Sequence, residues 1–224
     1  MKAALFLDVD GVLAPIVPKP EDARVPDETR KELRRLNGRY ALVACISGRA
    51  GADAQRIVGI PELVYVGNHG LELDSEAAEW GDRLQRFLAE VAWPATENKQ
   101  LTASLHYRGA PDEGAAHAAL EDVKARAERE GFVARFGRKA LEIIPPIDAN
   151  KGTAIRALLA RHDLGRALAS GDDTTDLDAF HALDGLELSV RVAVSSDEGP
   201  RELQDAADVV VASPQEFVSV LQRL

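Results

Sequence analysis

The sequence predicts an α/β protein whose core is a doubly wound, Rossmann-like parallel sheet, with a small α/β cap domain inserted into it. Short apolar runs alternate with amphipathic helical stretches along most of the 224 residues, which is typical of a parallel sheet. One central segment departs from this pattern, because polar and apolar side chains alternate within its strand. Two apolar runs end in glycine and aspartate residues, as strands do where a parallel sheet carries a ligand site.

The core strands are predicted from short apolar runs bounded by turn-forming residues. They are residues 3–7, 40–46, 63–67, 166–170 and 188–194, with a weaker strand at 207–211. The helices predicted between them are residues 27–36, 51–58, 82–92, 151–162, 174–182 and 214–223. In helix 151–162 the apolar residues follow the helical repeat, and Asn150 is suited to cap the first turn.

The inserted domain is predicted from one polar strand, one helix and one hairpin. Residues 99–108 alternate polar and apolar side chains, as in a sheet with one face in water. Residues 113–130 follow as an amphipathic helix. The runs Phe132–Phe136 and Lys139–Ile144 then flank Gly137-Arg138, which predicts a hairpin turn.

The domain boundaries are placed where the pattern changes. Pro145 and Pro146 mark the return to the core, since each proline disfavours helix in the residue before it. The predicted core therefore comprises residues 1–95 and 150–224, and the predicted cap comprises residues 96–149.

Composition restricts the class of partner. The formal net charge of −10 argues against nucleic acid or an anionic membrane as the main partner, although a local group of cations can still bind a phosphorylated substrate. No run approaches the roughly 18 to 20 apolar residues of a membrane span. The first apolar run is also too short for a signal peptide. The single Cys45 lies in an apolar run, so we expect a buried thiol, a reducing compartment and a cytoplasmic protein.

The first candidate site is Asp8-Val9-Asp10-Gly11, directly after the first predicted strand. Asp8 and Asp10 share a side of the strand, because successive residues point to opposite faces. Two adjacent carboxylates repel each other, and a shared proton or a bound divalent cation relieves the repulsion. The alternative is an ordinary Asp-Gly turn.

The second candidate site is the acidic run Gly171–Asp176, which follows the strand 166–170. Aspartate and threonine at a helix start are good caps, so capping alone is one interpretation. If the two strands are neighbours, however, Asp8, Asp10, Asp172 and Asp176 converge. An all-oxygen cluster with open positions suits Mg²⁺, and the sequence therefore favours a magnesium site.

Two shorter motifs fit the same edge of the sheet. Ser47-Gly48-Arg49 ends the second predicted strand and offers a hydroxyl and backbone N–H groups to a phosphate. Lys151 starts helix 151–162, where the helix dipole is unfavourable for a cation, so we expect an anion nearby. A plain loop and a solvated surface lysine are the alternatives for these two motifs.

These four motifs, in this order on an α/β core, resemble the haloacid dehalogenase superfamily of phosphohydrolases. Finer features are similar to the trehalose-6-phosphate phosphatases, and the similarity runs over essentially the whole chain. These features are Gly67-Asn68-His69-Gly70-Leu71-Glu72, Glu97-Asn98-Lys99, His106-Tyr107-Arg108, the hairpin from Gly137 to Pro145 with Glu142, and Gly171-Asp172-Asp173-Thr174-Thr175-Asp176.

The resemblance implies a division of catalytic roles. Asp8 would be the nucleophile that forms an aspartyl-phosphate, and Asp10 would protonate the departing sugar oxygen and then deprotonate the hydrolytic water. Ser47 and Lys151 would grip the phosphoryl group. The implied cofactor is Mg²⁺, and its implied ligands and supporting carboxylates are Asp8, the backbone carbonyl of Asp10, Asp172, Asp173 and Asp176.

The resemblance also implies which residues bind the sugar phosphate. In the core they are Arg49, Asn68, His69 and Gly70, and in the cap they are Glu97, Lys99, Arg108, Arg138 and Glu142. Two positions depart from the family pattern. Val12 stands where the family commonly has threonine, and either Arg138 or Lys139 supplies the cation before Glu142.

The implied activity is Mg²⁺-dependent hydrolysis of trehalose 6-phosphate by a phosphoric monoester hydrolase. The alternatives are another substrate (sucrose phosphate or mannosyl-3-phosphoglycerate), a phosphotransferase such as a mutase, and a non-catalytic sugar-phosphate sensor. The expected partner is a small sugar phosphate, with no nucleic acid and no membrane. We expect a monomer with a functional link to a trehalose-phosphate synthase.

Overall fold

The computed structural model describes residues 2–137, 139–195 and 199–224. Arg138, a predicted sugar contact, lies outside the described residues. The chain divides into two compact units, Met1–Gly70 with Ala149–Leu224, and Leu71–Asp148. We call them the core unit and the inserted unit.

Ten strands and eight α-helices occupy the described residues. The strands are β1 (Ala4–Leu7), β2 (Leu42–Ile46), β3 (Val64–Val66), β4 (Thr96–Asn98), β5 (Ala103–His106), β6 (Val133–Phe136), β7 (Ala140–Ile144), β8 (Arg166–Gly171), β9 (Leu188–Val194) and β10 (Val209–Val211). The helices are α1 (Asp27–Asn37), α2 (Gly51–Val58), α3 (Ala77–Val91), α4 (Glu113–Arg129), α5 (Lys151–His162), α6 (Asp176–His181), α7 (Arg201–Asp205) and α8 (Pro214–Arg223). Only β4 and α7 were not predicted.

The core unit contains a six-stranded parallel sheet in the order β10-β9-β8-β1-β2-β3. The strand order runs outward from β1 in both directions, so β1 lies at the point where a doubly wound sheet binds ligands. In the register, Leu7 pairs with Cys45 on one side and with Ser170 on the other. The carboxyl ends of β1, β2 and β8 therefore meet at one edge. The predicted α/β fold is confirmed.

The core of this unit is apolar. All four residues of β1 and all five of β2 are buried, as expected for strands covered on both faces. Helices α1, α2 and α8 contribute Leu33, Ile57 and Phe217 to the same hydrophobic cluster. Cys45 is fully buried within it, as predicted.

The inserted unit contains a four-stranded antiparallel sheet in the order β4-β5-β7-β6. The predicted strand 99–108 is limited to β5 (Ala103–His106) in the structure, because the chain reverses between Asn98 and Ala103. The Asn98 side chain accepts a hydrogen bond from the amide of Gln100, whose φ is 70°. Asparagine favours such turns, and this local bond explains the difference.

The inserted unit begins at Leu71, whereas the pattern of strands and helices predicted a cap that begins at residue 96. Helix α3 belongs to this unit, because its Leu84 and Phe87 pack in one hydrophobic cluster with Leu105 of β5 and Leu120 of α4. The amphipathic pattern of α3 shows that one face is buried, but it does not show which sheet covers that face.

Candidate active site

Asp8 and Asp10 follow β1 and occupy different surroundings. Asp8 is buried, and its amide donates a hydrogen bond of 3.3 Å to the carbonyl of Ser170 on the adjacent strand. Asp10 is only partly buried. Gly11 comes next with a φ of 74°, so the chain turns away from the strand direction there. The two carboxylates therefore differ in burial, although the strand pattern predicted a shared side for them.

Lys151 lies buried at the start of α5, with its ammonium group between two carboxylates. Its Nζ is 3.0 Å from Oδ1 of Asp8 and 2.6 Å from Oδ1 of Asp176. Burial alone would lower the pKa of Lys151, but Asp176 and Asp8 outweigh it and raise this pKa. Asn150 caps the helix, since its side chain accepts from the amide of Thr153. The predicted anion beside Lys151 and the predicted cap are both present.

Asp176 organises the acidic loop after β8. Its Oδ1 accepts from Lys151, while its Oδ2 accepts from the amides of Asp172 at 3.0 Å and Asp173 at 3.1 Å. A Cβ on Gly171 would lie 2.2 Å from the Asp176 side chain, so only glycine fits at this position. The fully buried Asp176 therefore fixes both the lysine and the backbone that carries Asp172.

Three carboxylates form a cluster in which a divalent cation would fit. One oxygen each of Asp8, Asp172 and Asp176 lies within 4.8 Å of the others. Burial raises the pKa of Asp8, and burial together with the charge of Asp176 raises the pKa of Asp172 to about 7. The cluster thus holds more negative charge than Lys151 balances, and its oxygen donors suit Mg²⁺. A Cβ on Gly11 would lie 2.0 Å from an Asp172 oxygen, so glycine keeps this space open.

The side chains of two residues predicted for the metal site form hydrogen bonds outside the cluster. The Asp10 carboxylate binds the guanidinium of Arg49, with Nε–Oδ2 and Nη2–Oδ1 distances of 2.7 and 2.8 Å. Asp173 accepts a hydrogen bond from the amide of Thr174 through its Oδ1. Their side chains are therefore outside the three-carboxylate cluster, although the expected contribution of Asp10 was its backbone carbonyl.

Ser47 and the loop 67–70 are joined by backbone hydrogen bonds. The buried Ser47 accepts from the amide of His69 through its carbonyl, and Asn68 donates to the carbonyl of Arg49. Asn68, His69 and Gly70 all have left-handed φ values, of 51°, 54° and 108°. A Cβ on Gly70 would lie 2.6 Å from the carbonyl of Asn150, which requires glycine. The strained loop thereby links the Ser47 motif to the start of α5.

Glu97 and Glu142, two of the predicted sugar contacts, lie on the solvated side of the sheet in the inserted unit. Register pairs Glu97 with Ser104, Ser104 with Glu142 and Glu142 with Arg135, so one row crosses all four strands. Glu97 contacts His106 at 3.3 Å, whereas Leu105 and Leu141, at alternate positions, belong to the hydrophobic cluster. Sequence reasoning identified Glu97 and Glu142 but missed Arg135, because only the register places it beside Glu142.

The other described candidates for sugar contact lie just outside the strands: Lys99 follows β4, Arg108 follows β5, and Lys139 precedes β7. Lys99 lies 3.7 Å from Glu97. Lys139 lies 2.7 Å from Glu113 of α4, and Arg108 also contributes to lowering the Glu113 pKa. Arg138 and Lys139 were the two candidates for the cation before Glu142. Of these, the structure describes Lys139, which pairs with Glu113.

The chain matches the trehalose-phosphatase family over residues 6–214. A curated relative, the trehalose-phosphate phosphatase of Mycobacterium avium (strain 104), is 31% identical over 99% of this chain, and the chain spans 61% of its length. Among solved structures, a trehalose-6-phosphate phosphatase related protein matches with a TM-score of 0.74 and 23% identity, covering 98% of this chain and 96% of its own.

A haloacid dehalogenase-like hydrolase from Bacteroides thetaiotaomicron shares the fold at 14% identity. Its TM-score is 0.68, and the match covers 98% of both chains. Among the helices in the described part of the chain, none is long and apolar enough to cross a membrane.

Proposed function

The chain belongs to the trehalose-phosphatase family, and we propose that it hydrolyses trehalose 6-phosphate to trehalose and phosphate through an aspartyl-phosphate on Asp8. The observation that carries the proposal is the buried ammonium of Lys151, bound to Asp8 at 3.0 Å and to Asp176 at 2.6 Å beside Asp172. A buried, paired cation next to a buried carboxylate is the arrangement that phosphoryl transfer to that carboxylate needs.

In the first step, an oxygen of Asp8 attacks phosphorus while the bond between phosphorus and the sugar oxygen breaks. The negative Asp8 and the phosphate dianion repel each other, and Lys151 offsets this repulsion where charge develops. Lys151 is held by Asp176 as well as by Asp8, so it stays in position while Asp8 reacts. The buried hydroxyl of Ser47, at the end of β2, would bind the phosphoryl oxygens.

Asp10 would move the proton in both steps. It gives a proton to the departing sugar oxygen in the first step and, as a carboxylate, takes one from the attacking water in the second. Water then adds to phosphorus, the bond to Asp8 breaks, and phosphate leaves with Asp8 restored. Two easier steps replace one difficult step.

The residues that would hold Mg²⁺ are Asp8 and Asp172, with the backbone carbonyl of Asp10. When bound, the cation would neutralise charge on the phosphoryl oxygens. Asp176 has both oxygens engaged by Lys151 and by two amides, so we assign it the role of organising the site. Asp173 would support the metal site from the same loop.

The sugar would be recognised by the core residues Arg49, Asn68, His69 and Gly70 and by the polar row of the inserted unit. Carboxylates and cations bind sugar hydroxyls through paired hydrogen bonds, and Glu97, Lys99 and Glu142 supply such groups. Arg108 and Arg138 complete the proposed set. Disaccharide recognition is what separates trehalose 6-phosphate from smaller sugar phosphates.

Phosphate release measured over a substrate panel tests the proposal. We expect turnover of trehalose 6-phosphate with Mg²⁺, little without it, and at least about 100-fold lower kcat/KM for glucose 6-phosphate, because several hydroxyl contacts are lost. Equal turnover of glucose 6-phosphate, or a preference for sucrose phosphate or mannosyl-3-phosphoglycerate, would contradict the assigned substrate. Asp8→Asn should abolish turnover with the thermal unfolding transition retained.

The proposal includes a cytoplasmic monomer that acts on the product of a trehalose-phosphate synthase. It rests on the family to which the chain belongs. Light scattering of the purified protein tests the monomer, and a higher-order species at micromolar concentration would contradict it.

A further inference from the structure

The guanidinium group of Arg49 lies between two carboxylates. On one side its Nε and Nη2 donate to the two oxygens of Asp10, at 2.7 and 2.8 Å. On the other side its Nη1 donates to Oδ2 of Asp53 at 2.9 Å and to the carbonyl of Pro20 at 3.1 Å. One side chain thus connects the loop after β1, the loop after β2, the first turn of α2 and the short 3₁₀ helix Pro20–Asp22.

A second arginine holds the side chain of Asp53 in place. Arg56, one turn along α2, donates to Oδ1 of Asp53 from Nε at 2.9 Å and from Nη2 at 2.6 Å. Burial alone would raise the pKa of Asp53, but the hydrogen bonds from Arg49 and Arg56 outweigh it and lower this pKa. Asp53 therefore remains a carboxylate, and it anchors Arg49 from a rigid helix.

Asp10 is the more exposed partner in its pair with Arg49. Its side chain is 37% exposed, whereas that of Arg49 is 17% exposed. A planar guanidinium that contacts both carboxylate oxygens fixes the rotation of the carboxyl group as well as its position. The backbone of Arg49 is also fixed, since its amide donates to Oγ of Ser47 and its carbonyl accepts from Asn68.

We propose that Asp53 and Arg49 form a positioning relay that orients Asp10 for proton transfer to the leaving oxygen of the substrate. The inference rests on the proposed function, because it assigns that proton transfer to Asp10. As the bond between phosphorus and the ester oxygen breaks and the bond to Asp8 forms, protonated Asp10 passes its proton to the ester oxygen from the one carboxyl oxygen that has left its contact with Arg49. The other Asp10 oxygen stays bound to Arg49, and Asp53 keeps the guanidinium in place.

The relay makes a prediction about leaving groups. A sugar or phenolate oxygen leaves poorly without a proton, whereas 4-nitrophenolate is a weak base and leaves without one. Loss of the relay should slow the first kind of substrate and spare the second. A residue that only binds phosphate, or only stabilises the fold, would affect both kinds equally.

The test compares Asp53→Asn with the unmodified enzyme on trehalose 6-phosphate, phenyl phosphate and 4-nitrophenyl phosphate. It uses kcat/KM because this constant covers binding and phosphoryl transfer to Asp8 but not the later hydrolysis step. We expect a loss of about tenfold for the first two substrates, a fraction of the about 100-fold or more that general acid catalysis supplies, and a change within about twofold for 4-nitrophenyl phosphate. Equal losses on all three substrates, or no loss on any, would overturn the relay. Asp53→Glu should restore most of the loss.

Two further variants keep the test decisive. Glu187→Gln breaks another paired arginine contact, to Arg166 at the opposite end of β8, and should leave all three substrates unchanged. If Asp53→Asn fails to fold, Arg56→Gln removes the two contacts that hold Oδ1 of Asp53, and it should show the same dependence on leaving group. An Arg56→Gln enzyme with uniform losses would overturn the relay.

The outcome also separates the relay from the proposed function. If the unmodified enzyme hydrolyses the aryl phosphates but not trehalose 6-phosphate, the assigned substrate is wrong and the two aryl phosphates still decide the relay. If it hydrolyses none of the three with Mg²⁺ present, both the phosphatase activity and the relay are overturned.

Discussion

Charged side chains are arranged differently in the two units of the molecule. In the core unit, Lys151, Asp8 and Asp176 form two ion pairs whose side chains are only 4%, 8% and 1% exposed. In the inserted unit, the side chains of Arg135 and Glu142 pair across neighbouring strands with 68% and 39% exposure. Buried charges hold one geometry before any ligand arrives, whereas exposed pairs contribute little energy and rearrange easily.

The difference follows from the two kinds of sheet. A parallel sheet covered on both faces places its strand ends together, and the side chains there are enclosed by helices such as α5 and α6. An antiparallel sheet with one solvated face carries a row of polar side chains across its strands. We therefore expect substitutions in the core unit to change stability and chemistry together, and those in the inserted unit to change substrate preference.

The largest effect is expected from Lys151→Met. Removing the cation leaves Asp8 and Asp176 buried without their partner, which costs about 3 to 5 kcal/mol of unfolding free energy. Urea denaturation measures the change. Lys124→Met is the control, since Lys124 pairs with Glu128 on the surface of α4 and its loss should cost about 0.5 kcal/mol or less. Equal losses for the two variants would remove the contrast between the units.

Asp172→Asn should stabilise the metal-free protein. Burial and the charge of Asp176 raise the pKa of Asp172 to about 7, above the value of about 4 for an unfolded chain. Stability contributed by the protonated form is present below about pH 4 and is lost as pH rises to about 7. The variant lacks this loss, so its advantage should grow from small at pH 5 to about 1 to 3 kcal/mol at pH 8.

Urea denaturation in EDTA at pH 5 and pH 8 measures this advantage. Adding Mg²⁺ should raise the unfolding temperature of the unmodified protein and not that of Asp172→Asn. An advantage independent of pH, or equal stabilisation of both proteins by Mg²⁺, would contradict the carboxylate cluster as the cation site.

Glu142→Gln should affect substrate preference more than chemistry. We expect kcat/KM for trehalose 6-phosphate to fall about tenfold, because a hydrogen bond to a charged group contributes about 1.5 kcal/mol. Turnover of 4-nitrophenyl phosphate, which has no sugar, should be unchanged. Glu128→Gln on the surface of α4 is the control, with no change on either substrate. A matching loss on 4-nitrophenyl phosphate would place Glu142 in the chemical step.

The smallest effect is expected on stability from Arg135→Ala. Its contact with Glu142 is 3.1 Å long but exposed, so we expect a loss of about 0.5 kcal/mol or less. A loss of more than about 1.5 kcal/mol would show that the solvated face of this sheet is as fixed as the core unit.

Much of the core site could be predicted from sequence because strand ends of a parallel sheet share an edge. That argument brought Asp8 and Asp172 together, and the unfavourable helix position of Lys151 indicated its anion. The contact between Arg49 and Asp10 could not be predicted, since a long side chain has many rotamers and only the folded loops select one. Asp53 was missed because Arg49 lies in the loop before α2, where the helical rule for residues four apart does not apply.

The inserted unit was less predictable for a different reason. The alternation of polar and apolar residues showed a sheet with one wet face, but the turn after Asn98 and the register decided which side chains meet. Helix α3 was assigned to the other unit, because the face that an amphipathic helix buries does not reveal its partner.

The most direct test of the account is to trap the phosphorylated enzyme. The protein is mixed with trehalose 6-phosphate and Mg²⁺, quenched rapidly in acid, digested, and examined by peptide mass spectrometry. The buried Asp8 beside Lys151 predicts a phosphoryl group on the peptide that contains Asp8, absent from Asp8→Asn. Phosphate release without phosphorylation of that peptide, or release that persists in Asp8→Asn, would contradict the account.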